Sequence, residues 1–229
     1  DTLVDGNLVI ESFVYTFELG LSNSRVSGAL AVSNVGHLNV SRVTTGGSAV
    51  VAGSYVNVSD CVIGGAAGGA ATVSGTNEAH VTNCRFPQQG GGVSLTMSGI
   101  GKTQSVRGCS IDAGAIAFTQ DVSAASGMRI SVSDNNIVST STNVHALSFP
   151  KYTAAGGSVM GFQNVSITNN IISAASLPSI PTATIAQASC IYFAGTCSNV
   201  SIVGNHLNWG GANAAGPVVG GTFTYGCIQ

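Results

Sequence analysis

Charge is what this chain has least of. Asp, Glu, Lys and Arg together make 7% of the 229 residues, and none of them falls in 152–229, whereas an ordinary domain is about one quarter charged. Net charge is −2 at pH 7, so neither nucleic acid nor an anionic membrane surface is an expected partner. A solvated surface normally carries some charge; the uncharged third is therefore expected to lie under glycan or against other subunits, the alternative being a surface of Ser, Thr, Asn and Gly alone. No apolar run reaches the roughly 18 residues of a helical membrane span. No basic and apolar leader follows Asp1, and the chain is expected to be mature protein. Hydrophobic residues at 44% exclude disorder.

Catalytic constellations are missing as well. The nine acids, Asp1, Asp5, Glu11, Glu18, Asp60, Glu78, Asp112, Asp121 and Asp134, form no local cluster. No H-x-x-x-H or C-x-x-C spacing marks a metal site, and the Gly-rich runs 64–69 and 88–92 precede no G-K-S/T and no helix. No catalytic residue, metal or cofactor is expected.

What is present is a repeat. Residues 164–172 read N-V-S-I-T-N-N-I-I and return at 199–207 as N-V-S-I-V-G-N-H-L. Reduced to six positions, the unit is an apolar β-former, any residue, Asn/Asp/Gly, Asn/Cys/Ser, any residue, and a second apolar β-former. Copies fall at 4–9, 21–26, 38–43, 58–63, 81–86, 106–111, 132–137, 167–172 and 202–207. Position three holds Gly6, Asn23, Asp60, Asn83, Gly108, Asp134, Asn169 and Gly204, with Val40 the exception in the third copy. These residue types accept positive φ, so each unit predicts strand, sharp corner, strand. Position four then forms an inward ladder of small groups: Asn7, Ser24, Ser41, Cys61, Cys84, Cys109, Asn135, Asn170 and Asn205. Stacked strands lie about 4.8 Å apart, close enough for such groups to bond from turn to turn.

The ladder residues are 17 apart between Asn7 and Ser24 and 35 apart between Asn170 and Asn205. Each interval is one coil of a solenoid that widens along the chain. The expected fold is therefore all-β: a single-stranded right-handed parallel β-helix of about nine coils, one domain over 1–229. Antiparallel sandwiches and barrels do not explain a fixed corner at unequal spacings. Asp60 and Asp134 share a column three coils apart, about 14 Å, beyond a retaining or usual inverting carboxylate pair.

The unit V/I-x-N/D/G-N/C-x-I in Ala/Gly/Ser/Val-rich coils resembles the repeats of right-handed, pectate-lyase-like parallel β-helix proteins. The segments Y-V-N-V-S-D-C-V-I (55–63) and C-S-N-V-S-I-V-G-N-H-L (197–207) more narrowly resemble the dispersed gene family surface proteins of trypanosomes and their relatives. The narrow resemblance implies a membrane-anchored adhesive parent much longer than this chain.

Six cysteines form an even set, consistent with an oxidising compartment. Cys61, Cys84 and Cys109 stack in the ladder, so a vertical pair such as Cys61–Cys84 is a candidate disulfide, as is the bracket Cys190–Cys197, with Cys227 nearby in sequence. The alternative is buried thiols acting as small hydrophobes. Four N-V-S sequons, at Asn39, Asn57, Asn164 and Asn199, fall at outward parity and are expected glycosylation sites; the alternative is that N-V-S is repeat consensus. Arg25, Arg42 and Arg85 are placed together at position five on the outer face.

The expected function is a non-catalytic structural or adhesive module of an extracellular or cell-surface glycoprotein. Its expected partners are copies of itself or neighbouring solenoid domains, covalent glycans and carbohydrate ligands. With the first copy starting at Val4 and no capping helix in sight, end-to-end stacking into an array or filament is expected. The alternative is a polysaccharide lyase or glycoside hydrolase. An ice-binding face would need a regular outward Thr array, which position two lacks.

Overall fold

The computed structural model describes residues 2–11, 17–64, 69–87, 92–99, 103–119, 128–140, 144–150, 152–153, 159–160, 162–174, 190–209 and 219–228. Among them there is no helix, and so none long and apolar enough to cross a membrane. Twenty strands join in one sheet whose pairings are all parallel, and Tyr152–Thr153 with Val159–Met160 makes a small antiparallel pair apart from it.

Each turn of the chain contributes to three faces. The first face stacks residues 18–22, 37–41, 55–59, 78–82, 103–107, 129–133, 165–168 and 200–203 in register. The second stacks 24–26, 43–45, 62–63, 85–86, 110–111, 136–139, 171–174 and 206–209. The third stacks 8–11, 30–32, 49–51, 71–73, 95–97, 116–118, 147–149 and 191–193. Val219–Ile228 adds a last rung to the first and third faces, and Thr2–Val4 a first rung to the second. Nine rungs per face make this a parallel β-helix of the expected length.

The corner between the first and second faces is made by one left-handed residue per coil: Asn23, Arg42, Asp60, Asn83, Gly108, Asp134, Asn169 and Gly204, with φ between 49° and 66°. Glycine at two of these positions meets the demand on φ directly; an added Cβ at Gly108 or Gly204 would also lie 2.5 or 2.6 Å from Oδ1 of Asn83 or Asn169 on the preceding coil, so that side chain would have to turn aside.

Two copies of the repeat differ from their expected register. Leu21 pairs with Val40 and Val40 with Val58, so the third unit spans 40–45 rather than 38–43. Its corner is Arg42, its ladder residue is Val43, and Ser41 lies on the first face beside Ser22 and Ser59. A two-residue slip preserves inward and outward parity, which is why Leu38 and Val40 are equally good apolar anchors. In the first unit Val4 pairs with Val26, a position-six residue, and Val9 is 63% exposed. Asn7 is therefore outside the ladder; its Oδ1 instead accepts the Ala29 N–H at 2.8 Å at the next corner. Arg42 is likewise a corner residue, its Nε bonded to Asn23 Oδ1 at 2.6 Å, and does not share position five with Arg25 and Arg85.

From Cys61 onward the ladder is continuous. The backbone N–H of Val43, Cys61, Cys84, Cys109, Asn135 and Asn170 each donates to the ladder side chain of the following coil: to sulfur at 3.4, 3.5 and 3.4 Å, then to Asn Oδ1 at 2.8, 3.0 and 2.9 Å. Cysteine and asparagine play one role. Cys61 Sγ reaches the carbonyls of Val40 and Ser59, and Asn170 Nδ2 reaches those of Val132 and Thr168, one from the preceding coil and one from its own.

This geometry also decides the disulfide question for the described residues. Cys61, Cys84, Cys109, Cys190 and Cys197 are buried free thiols. The Cys61–Cys84 bridge does not form because each sulfur is turned to backbone groups; the Cys190 sulfur likewise reaches the carbonyls of Ile172 and Asn208. The hydrogen bond to the Cys84 sulfur, with burial, raises the Cys61 thiol pKa far above its usual range, and the bond to Cys109 raises that of Cys84 to about 12. The side chain of Cys227 lies outside the described residues.

The core is a column of apolar side chains inside the three faces, with an aromatic stack in the wider coils. Phe149 stacks on Phe118 at 5.0 Å and on Phe193 at 4.4 Å, and Phe162 meets it edge-on at 5.4 Å. Such pairs add about 0.5–1.5 kcal/mol each beyond burial.

Candidate functional site

Along a strand every second side chain points outward, so each rung of the first face presents three side chains to solvent. Because the rungs are in register, these become columns running up the solenoid. One column carries Glu18, His37, Tyr55, Glu78, Thr103 and Arg129; the middle one carries Asn39, Asn57, His80, Ser105, Ser131, Ser166 and Ser201.

The columns bound a shallow trough. One part, about 620 Å³, is lined by His37, Asn39, Tyr55, Asn57, Glu78, His80, Ser105 and Arg107 among others. A second part, about 590 Å³, continues past Ser131 to Arg129, Asn164, Ser166, Asn199 and Ser201. The floor is sheet backbone whose N–H and C=O groups are consumed by the rungs on either side. Recognition along it therefore belongs to side chains.

Several of these hold one another in place. The rings of His37 and Tyr55 stack at 4.6 Å, 6° from parallel; ring stacked on ring along the axis leaves their polar edges for a ligand. Asn57 Nδ2 reaches Asn39 Oδ1 at 3.4 Å. At the far end Asn199 Nδ2 donates to Asn164 Oδ1 at 2.6 Å, and Asn164 Nδ2 to the Met128 carbonyl at 3.3 Å. Asn164 and Asn199 sit in the left-handed region, φ 53° and 52°, where asparagine turns the chain into the first face.

In the middle, His80 Nδ1 is 2.7 Å from Ser105 Oγ and His80 Nε2 is 3.4 Å from Glu78 Oε2. Arg107 is two residues beyond Ser105 on the same face, its Nε 3.3 Å from Asp134 Oδ2.

No family model, curated protein or solved structure matches the chain.

All four sequon asparagines lie on this trough, Asn39, Asn57 and Asn199 exposed and Asn164 half-buried. Arg85 lies on the second face, paired with Asp112 through Nε at 2.8 Å and a terminal nitrogen at 2.7 Å. Asp60 and Asp134 occupy corners three coils apart, and among the described residues no three His, Cys, Asp or Glu gather as a metal site. The grouping of Glu78, His80 and Ser105 escaped sequence reasoning because it depends on Ser105 pairing with His80 from the adjacent coil. The available signal was the alignment of 81–86 with 106–111, which places 80 beside 105.

Proposed function

We propose that this chain is an adhesive solenoid module of an extracellular or cell-surface protein and that it holds an extended polysaccharide along the outer trough of its first face. The observation that carries this reading is the trough's continuity from His37 to Ser201, lined by amides, hydroxyls, imidazoles and the Arg129 guanidinium. Polyhydroxylated chains are bound by such groups, and a surface already fixed by in-register sheet loses little entropy on binding. The scarcity of charge and the resemblance of 55–63 and 197–207 to trypanosome-type surface proteins support the location. The test is affinity electrophoresis of unglycosylated protein against neutral and uronate-containing polysaccharides. Binding to at least one, weakened tenfold or more by Tyr55→Ser with Arg129→Ser, is expected; failure to bind any, or equal binding by the variant, refutes the reading.

A second observation favours stacking with copies of itself. Among the described residues, 18–22 pair only on the side of the next coil, and Val219–Ile228 pairs only with Ile191–Val203. These are parallel edges of opposite sense, suited to further coils of a longer chain or to a second copy. The first coil also exposes Leu3, Val9 and Phe17. An edge-to-edge contact of this kind is head-to-tail and propagates into a filament. Sedimentation that stays monomeric at high protein concentration refutes it.

A further inference from the structure

We propose that the trough also carries an acyl-transfer centre, with Ser105 as nucleophile and His80 as its general base, acting on short O-acyl esters borne by the polysaccharide; this rests on the binding reading above.

The three groups are held by sheet, not by loop. Glu78 and His80 are two residues apart on Ala71–Thr82 and so project side by side, and Ser105 is the register partner of His80 on the next rung. With the imidazole proton on Nε2, Ser105 Oγ–H donates to Nδ1 at 2.7 Å while Nε2–H is directed to Glu78 Oε2 at 3.4 Å. This is the nucleophile, base and orienting acid of acyl-transfer enzymes, recognised by geometry and not by order in the chain. Glu78 is a positioning residue: it fixes the tautomer and stabilises the imidazolium that forms.

An oxyanion needs donors, and the rung backbone has none to spare. Arg107 lines the trough beside Ser105, and its bond to Asp134 runs through Nε, so its terminal nitrogens are not taken by that bond. The Ser131 hydroxyl follows on the next rung. The aliphatic side chains on the trough's lining, Leu38, Val56, Ile130 and Val165, are all buried in the core; among the described residues no apolar hole accommodates a long acyl chain, and an acetyl-sized group is the fit.

The chemistry balances without a further reagent. Ser105 Oγ attacks the ester carbonyl carbon as its proton passes to His80 Nδ1. The bond from that carbon to the sugar oxygen breaks, and the oxygen leaves with the proton from His80. Water then attacks the acyl-serine, giving its proton to His80, and the carboxylic acid departs as Ser105 recovers its proton.

The test uses the full chain with p-nitrophenyl acetate and a fluorophosphonate probe followed by peptide mapping. Hydrolysis above buffer is expected, falling about a hundredfold or more in Ser105→Ala and in His80→Ala and unchanged in Asn136→Ala on the second face. Glu78→Gln should retain part of the rate with a displaced pH profile, and the probe should label Ser105. Hydrolysis unaltered in Ser105→Ala, or a probe adduct that misses Ser105, overturns the proposal. Polysaccharide binding without ester hydrolysis overturns it alone; hydrolysis without polysaccharide binding overturns the adhesive reading alone.

Discussion

Replacing Asn170 by Leu tests the ladder most directly. The Asn170 side chain is buried among five polar partners: Oδ1 accepts from Asn135 N and Nδ2 at 3.0 and 2.9 Å, and the two hydrogens of Nδ2 are shared among Val132 O, Thr168 O and Asn205 Oδ1 at 3.0, 3.0 and 2.8 Å. Leucine leaves the Asn135 backbone N–H buried without its acceptor and strips one bond from the Asn135 amide. Each such loss costs about 1–3 kcal/mol. The added apolar surface returns about 1–2 kcal/mol, so the expected net loss is about 2–4 kcal/mol, a fall in Tm of roughly 5–15 °C for a chain of this size. Two companions make the measurement decisive. Thr168→Leu, half-exposed on the outer face, should move stability by no more than about 0.5 kcal/mol. Asn170→Cys, which restores the group used three coils earlier, should cost less than Asn170→Leu. Thermal unfolding by circular dichroism reads all three, and equal shifts for Asn170→Leu and Thr168→Leu would refute the account.

Other outcomes follow from the same geometry. Gly108→Ala should destabilise by about 1–2 kcal/mol, since its left-handed backbone opposes a Cβ and the Asn83 side chain must turn aside for one, whereas Asp60→Gly in the same column should be nearly neutral in denaturant titration. Cys61, Cys84, Cys109, Cys190 and Cys197 should resist iodoacetamide in the folded protein and react once it is unfolded; a disulfide recovered between any two of them would contradict their observed bonding. Material from the natural source should carry at most one glycan in each in-register pair, Asn39 with Asn57 and Asn164 with Asn199, because rungs about 4.8 Å apart crowd two glycans together; intact glycopeptides showing both sites of a pair occupied would refute this.

The fold was legible because the corner imposes a chemical demand at a fixed place. Asn, Asp or Gly between two apolar β-formers recurs in every coil from residue 58 onward, and there the expected register agrees with the structure residue for residue. Where an ordinary side chain fills the corner, as Arg42 does, the signal vanishes. Apolar parity then cannot distinguish 38–43 from 40–45. The trough was illegible for a different reason: outward residues are free of packing demands and show no common type, so Glu18, Tyr55 and Thr103 share a column with nothing in their chemistry to announce it. The cysteines were ambiguous because a thiol and an amide satisfy the same backbone groups, and only the direction of each sulfur separates that role from a bridge.

The ladder has a direction. From Val43 to Asn170 each coil's inner N–H is satisfied by a side chain that lies later in the sequence. During synthesis from the N-terminus, each newly formed coil in that stretch therefore presents one unmet donor at its growing end, and the residues next to emerge bring the acceptor. The chain is its own template, laid down rung upon rung in the order in which it is made. A ribosome that stalls leaves a defect confined to the last turn, with all earlier turns already complete.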